Sequence, residues 1–107
     1  MRSATQLAAD LRDLGEVQAA RDLDQDTLGR RRRILGQDHP DTLRSAIQLA
    51  TDLRDLGEVQ AARDLDQDTL DRRRRLLGDD HPDTLRSASN LAADLHALGE
   101  TGTGVDR

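Results

Sequence analysis

The feature that most constrains this chain is a repeat of 42 residues. Segments 2–43 and 44–85 align without a gap and differ at five positions: Thr5/Ile47, Ala9/Thr51, Gly29/Asp71, Ile34/Leu76 and Gln37/Asp79. A third copy begins at Arg86 and matches the second at 10 of 15 positions through Glu100. A chain that repeats itself this closely builds one supersecondary unit several times and stacks the copies. Its 107 residues hold about two and a half units, the size of one domain.

Each unit reads as two helices. In the middle copy Leu43, Ala46, Leu49, Ala50, Leu53 and Leu56 recur at spacings of three and four, the period of a helix with one apolar face. Gly57 is placed to stop that helix. Glu58 opens a second, whose stripe includes Val59, Ala62, Leu65, Thr69, Leu70, Leu76 and Leu77 and which ends at Gly78. His81-Pro82-Asp83-Thr84 then starts the next copy. Proline suits a first helical turn, and Asp carboxylates suit the positive end of the helix dipole. The pattern predicts helices A-B-A-B-A over about 2–14, 16–35, 41–56, 58–77 and 83–98. One helical hairpin cannot bury both of its faces, whereas stacked hairpins can. The expected fold is therefore an all-α solenoid of antiparallel helix pairs over 1–100, with a flexible tail over 101–107.

Composition removes most chemistries. The chain has no Cys, so it has neither disulfides nor thiolate zinc sites. It has no Phe, Tyr or Trp, so it offers no base-stacking platform. All sixteen basic residues are Arg, which removes the lysine of a Schiff base or a P-loop. A net charge of −5 argues against nucleic acid as a partner. No apolar run approaches the roughly 20 residues that span a bilayer. No signal peptide opens the chain, so a cytoplasmic protein with no membrane partner is expected.

The segment Leu-Gly-x-Asp-His-Pro-Asp-Thr, at 35–42 and again at 77–84, resembles the 42-residue class of tetratricopeptide repeat found in kinesin light chains. Asn90-Leu91-Ala92 and Leu56-Gly57-Glu58 followed by Ala61-Ala62 match as well. The resemblance covers residues 2–100. It implies a right-handed superhelix whose A helices line a concave, peptide-binding groove. The family usually carries aromatics at several packing positions, which here read Ala46, Leu53, Val59 and Asp66.

Several residues invite a sharper reading. The Arg30–Arg33 and Arg72–Arg75 runs look like basic patches, but four consecutive helical residues point around the whole circumference, so solvated helix ends are expected. His39 and His81 sit beside Asp in the repeat's loop, too far apart for one metal ion, and are expected to cap helices. Ser3, Ser45 and Ser87 lack any partner that would make a nucleophile. No catalysis, no metal and no cofactor are expected.

The copies differ within helix A at Thr5/Ile47/Ser89, Gln6/Gln48/Asn90, Ala9/Thr51/Ala93, Arg12/Arg54/His96 and Asp13/Asp55/Ala97. Most of these fall on one helical face. By the resemblance it is the groove face, so the expected ligand contacts are Arg12, Arg54, Gln48, Ile47, Thr51, Gln6 and Asn90. The expected function is binding of a peptide or partner protein. An acidic one is favoured, because Arg offers a planar fork of donors. Two other readings are a self-assembling fragment of a longer array and the sensor arm of a larger signalling ATPase. Helix A of the third copy has no B helix to cover it. Its Leu91, Leu95, Leu98 and His96 are expected to form a self-association surface, with a homodimer favoured.

Overall fold

The computed structural model describes residues 3–99 as five helices. They are α1 (Ala4–Asp13), α2 (Val17–Leu35), α3 (Pro40–Asp55), α4 (Val59–Leu77) and α5 (Pro82–Ala97). Met1, Arg2, Glu100 and the tail over 101–107, expected to be flexible, lie outside the described residues. Each helix packs chiefly on its neighbours in the chain: α1 on α2, α2 on α3, α3 on α4 and α4 on α5. The result is an elongated all-α stack of 49 × 32 × 20 Å.

The punctuation seen in the sequence sets the helix ends. Pro40 and Pro82 open α3 and α5. His39 Nδ1 accepts the backbone N–H of Asp41 at 3.1 Å, and His81 Nδ1 accepts that of Asp83 at 3.0 Å. Both histidines are thus N-caps, each satisfying a donor that the first helical turn leaves unpaired. No group of His, Cys, Asp and Glu among the described residues is arranged to hold a metal ion. Ser3 caps α1 in the same way, accepting from the Gln6 N–H at 3.1 Å. At the other end of α3 the chain reverses within the three residues 56–58. Gly57 adopts φ 85°, its N–H reaches the Arg54 carbonyl at 3.0 Å, and the Glu58 N–H reaches the Leu53 carbonyl at 2.8 Å. A side chain at that φ would crowd the backbone, which is why glycine stands there.

The core is made of small and medium side chains: Leu28, Ala46, Leu49, Ala50, Leu53 and Ala62, with Leu65 packed against them. Eleven apolar residues are buried among those described, and ten polar or charged ones join them, including Asp24, Asp52, Asp66, Arg73 and Asp94. So polar a core stands only if its charges find partners. The apolar core is also open at both ends. Leu7 is 44% exposed, whereas its counterparts Leu49 and Leu91 are 7% and 8%. Leu85 is 54% exposed, whereas Leu43 is 5%.

Candidate functional site

The repeat places the same three residue types at every joint between copies. Asp10, Asp52 and Asp94 occupy one position, Arg12, Arg54 and His96 a second, and Asp24 and Asp66 a third. Arg12 Nη1 donates to Asp24 Oδ2 at 2.8 Å and to Asp52 Oδ1 at 3.0 Å, so α1, α2 and α3 meet at one guanidinium. One copy later Arg54 Nη1 donates to Asp94 Oδ1 at 2.6 Å and lies 4.0 Å from Asp66 Oδ2, joining α3, α4 and α5. All four carboxyl groups are buried.

Two acids against one base leave each joint with an excess negative charge in a dry place, and a proton relieves it. Burial, a hydrogen bond with Asp24 and the Asp24 charge push Asp52 up to about 7, against the pull of Arg12. Burial, a hydrogen bond with Asp94 and the Asp94 charge push Asp66 up to about 8, against Arg54. The second oxygens of Asp52, Asp66 and Asp94 are buried with no hydrogen-bond donor of their own. A proton retained by Asp52 and by Asp66 offers a donor at each pair. Burial works against the Arg12 charge, but Asp52 and Asp24 outweigh it and hold Arg12 more firmly protonated.

This changes the reading of Arg12 and Arg54. The sequence offers them as open donors for a ligand, whereas here each gives its Nη1 to the chain's own carboxylates and keeps 21% and 26% of its side chain exposed. The other expected contacts are not tied down in this way. Gln6 is exposed and donates to Asp10 at 3.2 Å. Ile47, Gln48, Thr51 and Asn90 are half-buried. The Arg12–Asp52 and Arg54–Asp94 pairs tie α1, α3 and α5 together, bringing these positions onto neighbouring helices.

The arginine runs are not uniform solvated ends. Arg31 Nη1 donates to Ser45 Oγ at 2.9 Å and to the Asp41 carbonyl at 3.1 Å. Arg73 repeats this with Ser87 and Asp83, both at 3.0 Å, and its burial pulls its pKa down. Ser45 and Ser87 are therefore buried acceptors for a structural arginine. Arg72 binds Asp68 and Asp38, and Arg75 binds Asp38. Hydrogen bonds from Arg75 and Arg72 hold the Asp38 carboxyl below its ordinary range.

Sequence reasoning missed Asp24, Asp52 and Asp94 as site residues. A signal for the cluster was present: Asp66 fills a position where the family resemblance leads one to expect an aromatic, and it lies four residues from buried Ala62 and Leu70. At the third copy, Leu91 is buried within the chain and is not available to a partner. Leu95 and Leu98 are half-buried and His96 is exposed.

Comparison with known proteins agrees with this architecture. A sequence model of the tetratricopeptide repeat matches residues 1–41 and 42–83. Crystal structures of nearly identical TPR-like repeats, assigned to a putative kinesin light chain of Podosopora anserina, superpose with a TM-score of 0.86 at 30% identity, over 92% of this chain and 47% of theirs. A point-substituted form of the same repeats gives the same values. No curated protein sequence matches the chain. With the family's repeat matched twice across most of its length, and with the stacked helical hairpins of that repeat, this chain belongs to the tetratricopeptide repeat family.

Proposed function

We propose that the chain is a non-catalytic interaction module that holds a peptide or partner protein along the joined face of α1, α3 and α5. Repeats of this family mediate protein–protein interaction. The observation that carries the reading is where the copies differ. Thr5/Ile47/Ser89 and Ala9/Thr51/Ala93 vary on that face, while Asp10/Asp52/Asp94 and the ion-pairing Asp24/Asp66 do not. Ile47, Gln48, Thr51, Gln6 and Asn90 supply the principal contacts. Arg12 and Arg54 flank them, and a ligand carboxylate reaches these arginines in competition with the buried aspartates.

A peptide array probed with the purified chain would supply ligands. The informative variant is then Ile47→Thr with Thr51→Ala, which writes first-copy residues into the second copy and so suits the fold. At least tenfold weaker binding is expected, and unchanged affinity would overturn the assignment.

A second reading is a two-fold contact between α5 helices. It rests on the exposed Leu85 and on Ala93 and Ala97, which replace Thr51 and Asp55 of the preceding copy. Leu95, Leu98 and His96 flank that contact. A mass near 12 kDa by light scattering at millimolar concentration, unaltered in Leu85→Glu, would refute it.

A further inference from the structure

A second surface lies on the other side of the stack, between the B helices. A cleft of about 410 Å³ runs between α2 and α4 over Leu28, Leu49 and Leu53, and a neighbouring cleft of about 550 Å³ continues it past Leu65. The two share Arg32 on one wall and Ala61 on the other. The acids beside them are matched within the chain: Asp64 by Arg63 at 3.6 Å, Asp68 by Arg72 at 2.9 Å and Glu58 by Arg21 at 3.8 Å. Arg32 and Arg33 have no carboxylate within 4.0 Å among the described residues. Arg32 therefore brings to the cleft a guanidinium with no carboxylate partner among the described residues.

The missing partner traces to one of the five differences between the first two copies. In the second copy the counterpart of Arg32 is Arg74, which lies 3.8 Å from Asp79, and the first copy has Gln37 in place of Asp79. Gln37 instead accepts from Arg72 at 2.7 Å. Asp71, which in the second copy accepts from Gln67 at 3.0 Å, becomes Gly29, one turn before Arg32. Nothing in the fold calls for glycine there. Gly29 has no positive φ, and a Cβ built on it would meet only Arg33 Nη1, at 3.7 Å. A glycine inside a helix costs about 1 kcal/mol relative to alanine. The Gln37 difference leaves Arg32 without the carboxylate that its counterpart has, and the Gly29 difference removes a further acid one turn away.

We propose that Arg32, at the mouth of the α2–α4 cleft, forms a docking site separate from the A-helix face. Its occupant is a partner segment with a carboxylate next to an aliphatic side chain. The carboxylate meets the Arg32 fork, and the aliphatic group lies against Ala61 and Leu65.

The test is an NMR titration of the full chain with acetyl-Glu-Leu-Glu-Leu-amide. Saturable shifts are expected at the Gly29 and Ala61 amides. They should be absent with the Lys-Leu-Lys-Leu counterpart. Gly29→Asp with Gln37→Asp, which restores second-copy residues and should leave helicity intact by circular dichroism, is expected to weaken binding at least fivefold. Unchanged affinity in that variant overturns the site, as does the lack of any saturable shift. Shifts confined to Gln48, Thr51 and Asn90 overturn it too, while leaving the A-helix reading standing. Shifts at Gly29 alone do the reverse.

Discussion

Arg12 is the residue on which the first joint depends, because it faces two buried carboxyl groups, Asp24 and Asp52. Arg12→Ala leaves their charge unanswered. Breaking a buried ion pair from one side costs about 3–5 kcal/mol, and partial exposure of Arg12 reduces this to roughly 2–3 kcal/mol. Asp24→Asn should be far milder near neutral pH, because it removes the charge that crowds Asp52. Urea unfolding of both variants checks the order. The same carboxyls make stability depend on pH. Asp52 and Asp66 hold protons up to about pH 7 and 8 in the folded chain, whereas an unfolded Asp releases its proton near pH 3.9. The folded state therefore binds more protons between pH 4 and 8. This contribution is full below pH 4 and is lost as pH rises toward 8, by up to about 1.4 kcal/mol per pH unit for each pair. Urea midpoints measured from pH 5 to 8.5 should fall, and Asp52→Asn with Asp66→Asn should flatten the fall. None of these partnerships is legible from the sequence. Arg12 and Asp52 lie 40 residues apart, and only the pitch between stacked copies brings them together.

The helices themselves are legible almost to the residue. The expected spans 41–56 and 83–98 are found as Pro40–Asp55 and Pro82–Ala97. Periodic Leu and Ala mark the faces, while His-Pro at the start and glycine at the end mark the boundaries, and all of these act within one or two turns. Legibility ends where contact depends on how one helix sits on the next. Arg31 and Arg73 stand in runs that look solvated, yet both turn inward to the serine of the following A helix. The expected site contacts fare in the same way. Ile47, Gln48 and Thr51 can be grouped by helical spacing alone, whereas the commitment of Arg54 to Asp94 needs the neighbouring copy. Leu53 tests the core at this scale. It is 6% exposed within the apolar cluster, so Leu53→Asp buries a charge without a partner. A loss of more than about 3 kcal/mol is expected, a large part of the roughly 5–15 kcal/mol typical of a domain, and circular dichroism should show most of the helix gone.

In the whole molecule, the polar joints decide how one copy communicates with the next. An apolar seam keeps its strength across the neutral pH range, but a seam closed by two carboxyls, a proton and a guanidinium does not. The stability of a repeat array is close to a sum of unit terms and nearest-neighbour terms, and the nearest-neighbour terms set how many units melt together. Proton loss from Asp52 and Asp66 weakens those nearest-neighbour terms while leaving the hairpins' own packing in place. At pH 5 calorimetric and van't Hoff enthalpies of unfolding should agree, as for a single transition. At pH 9 the van't Hoff value should fall below the calorimetric one, as copies begin to melt separately. Agreement at both values would show that the acids do not set the coupling. The span over which this solenoid acts as one body is, on this view, a titratable quantity: acid lengthens it, and alkali divides the chain into its separate turns.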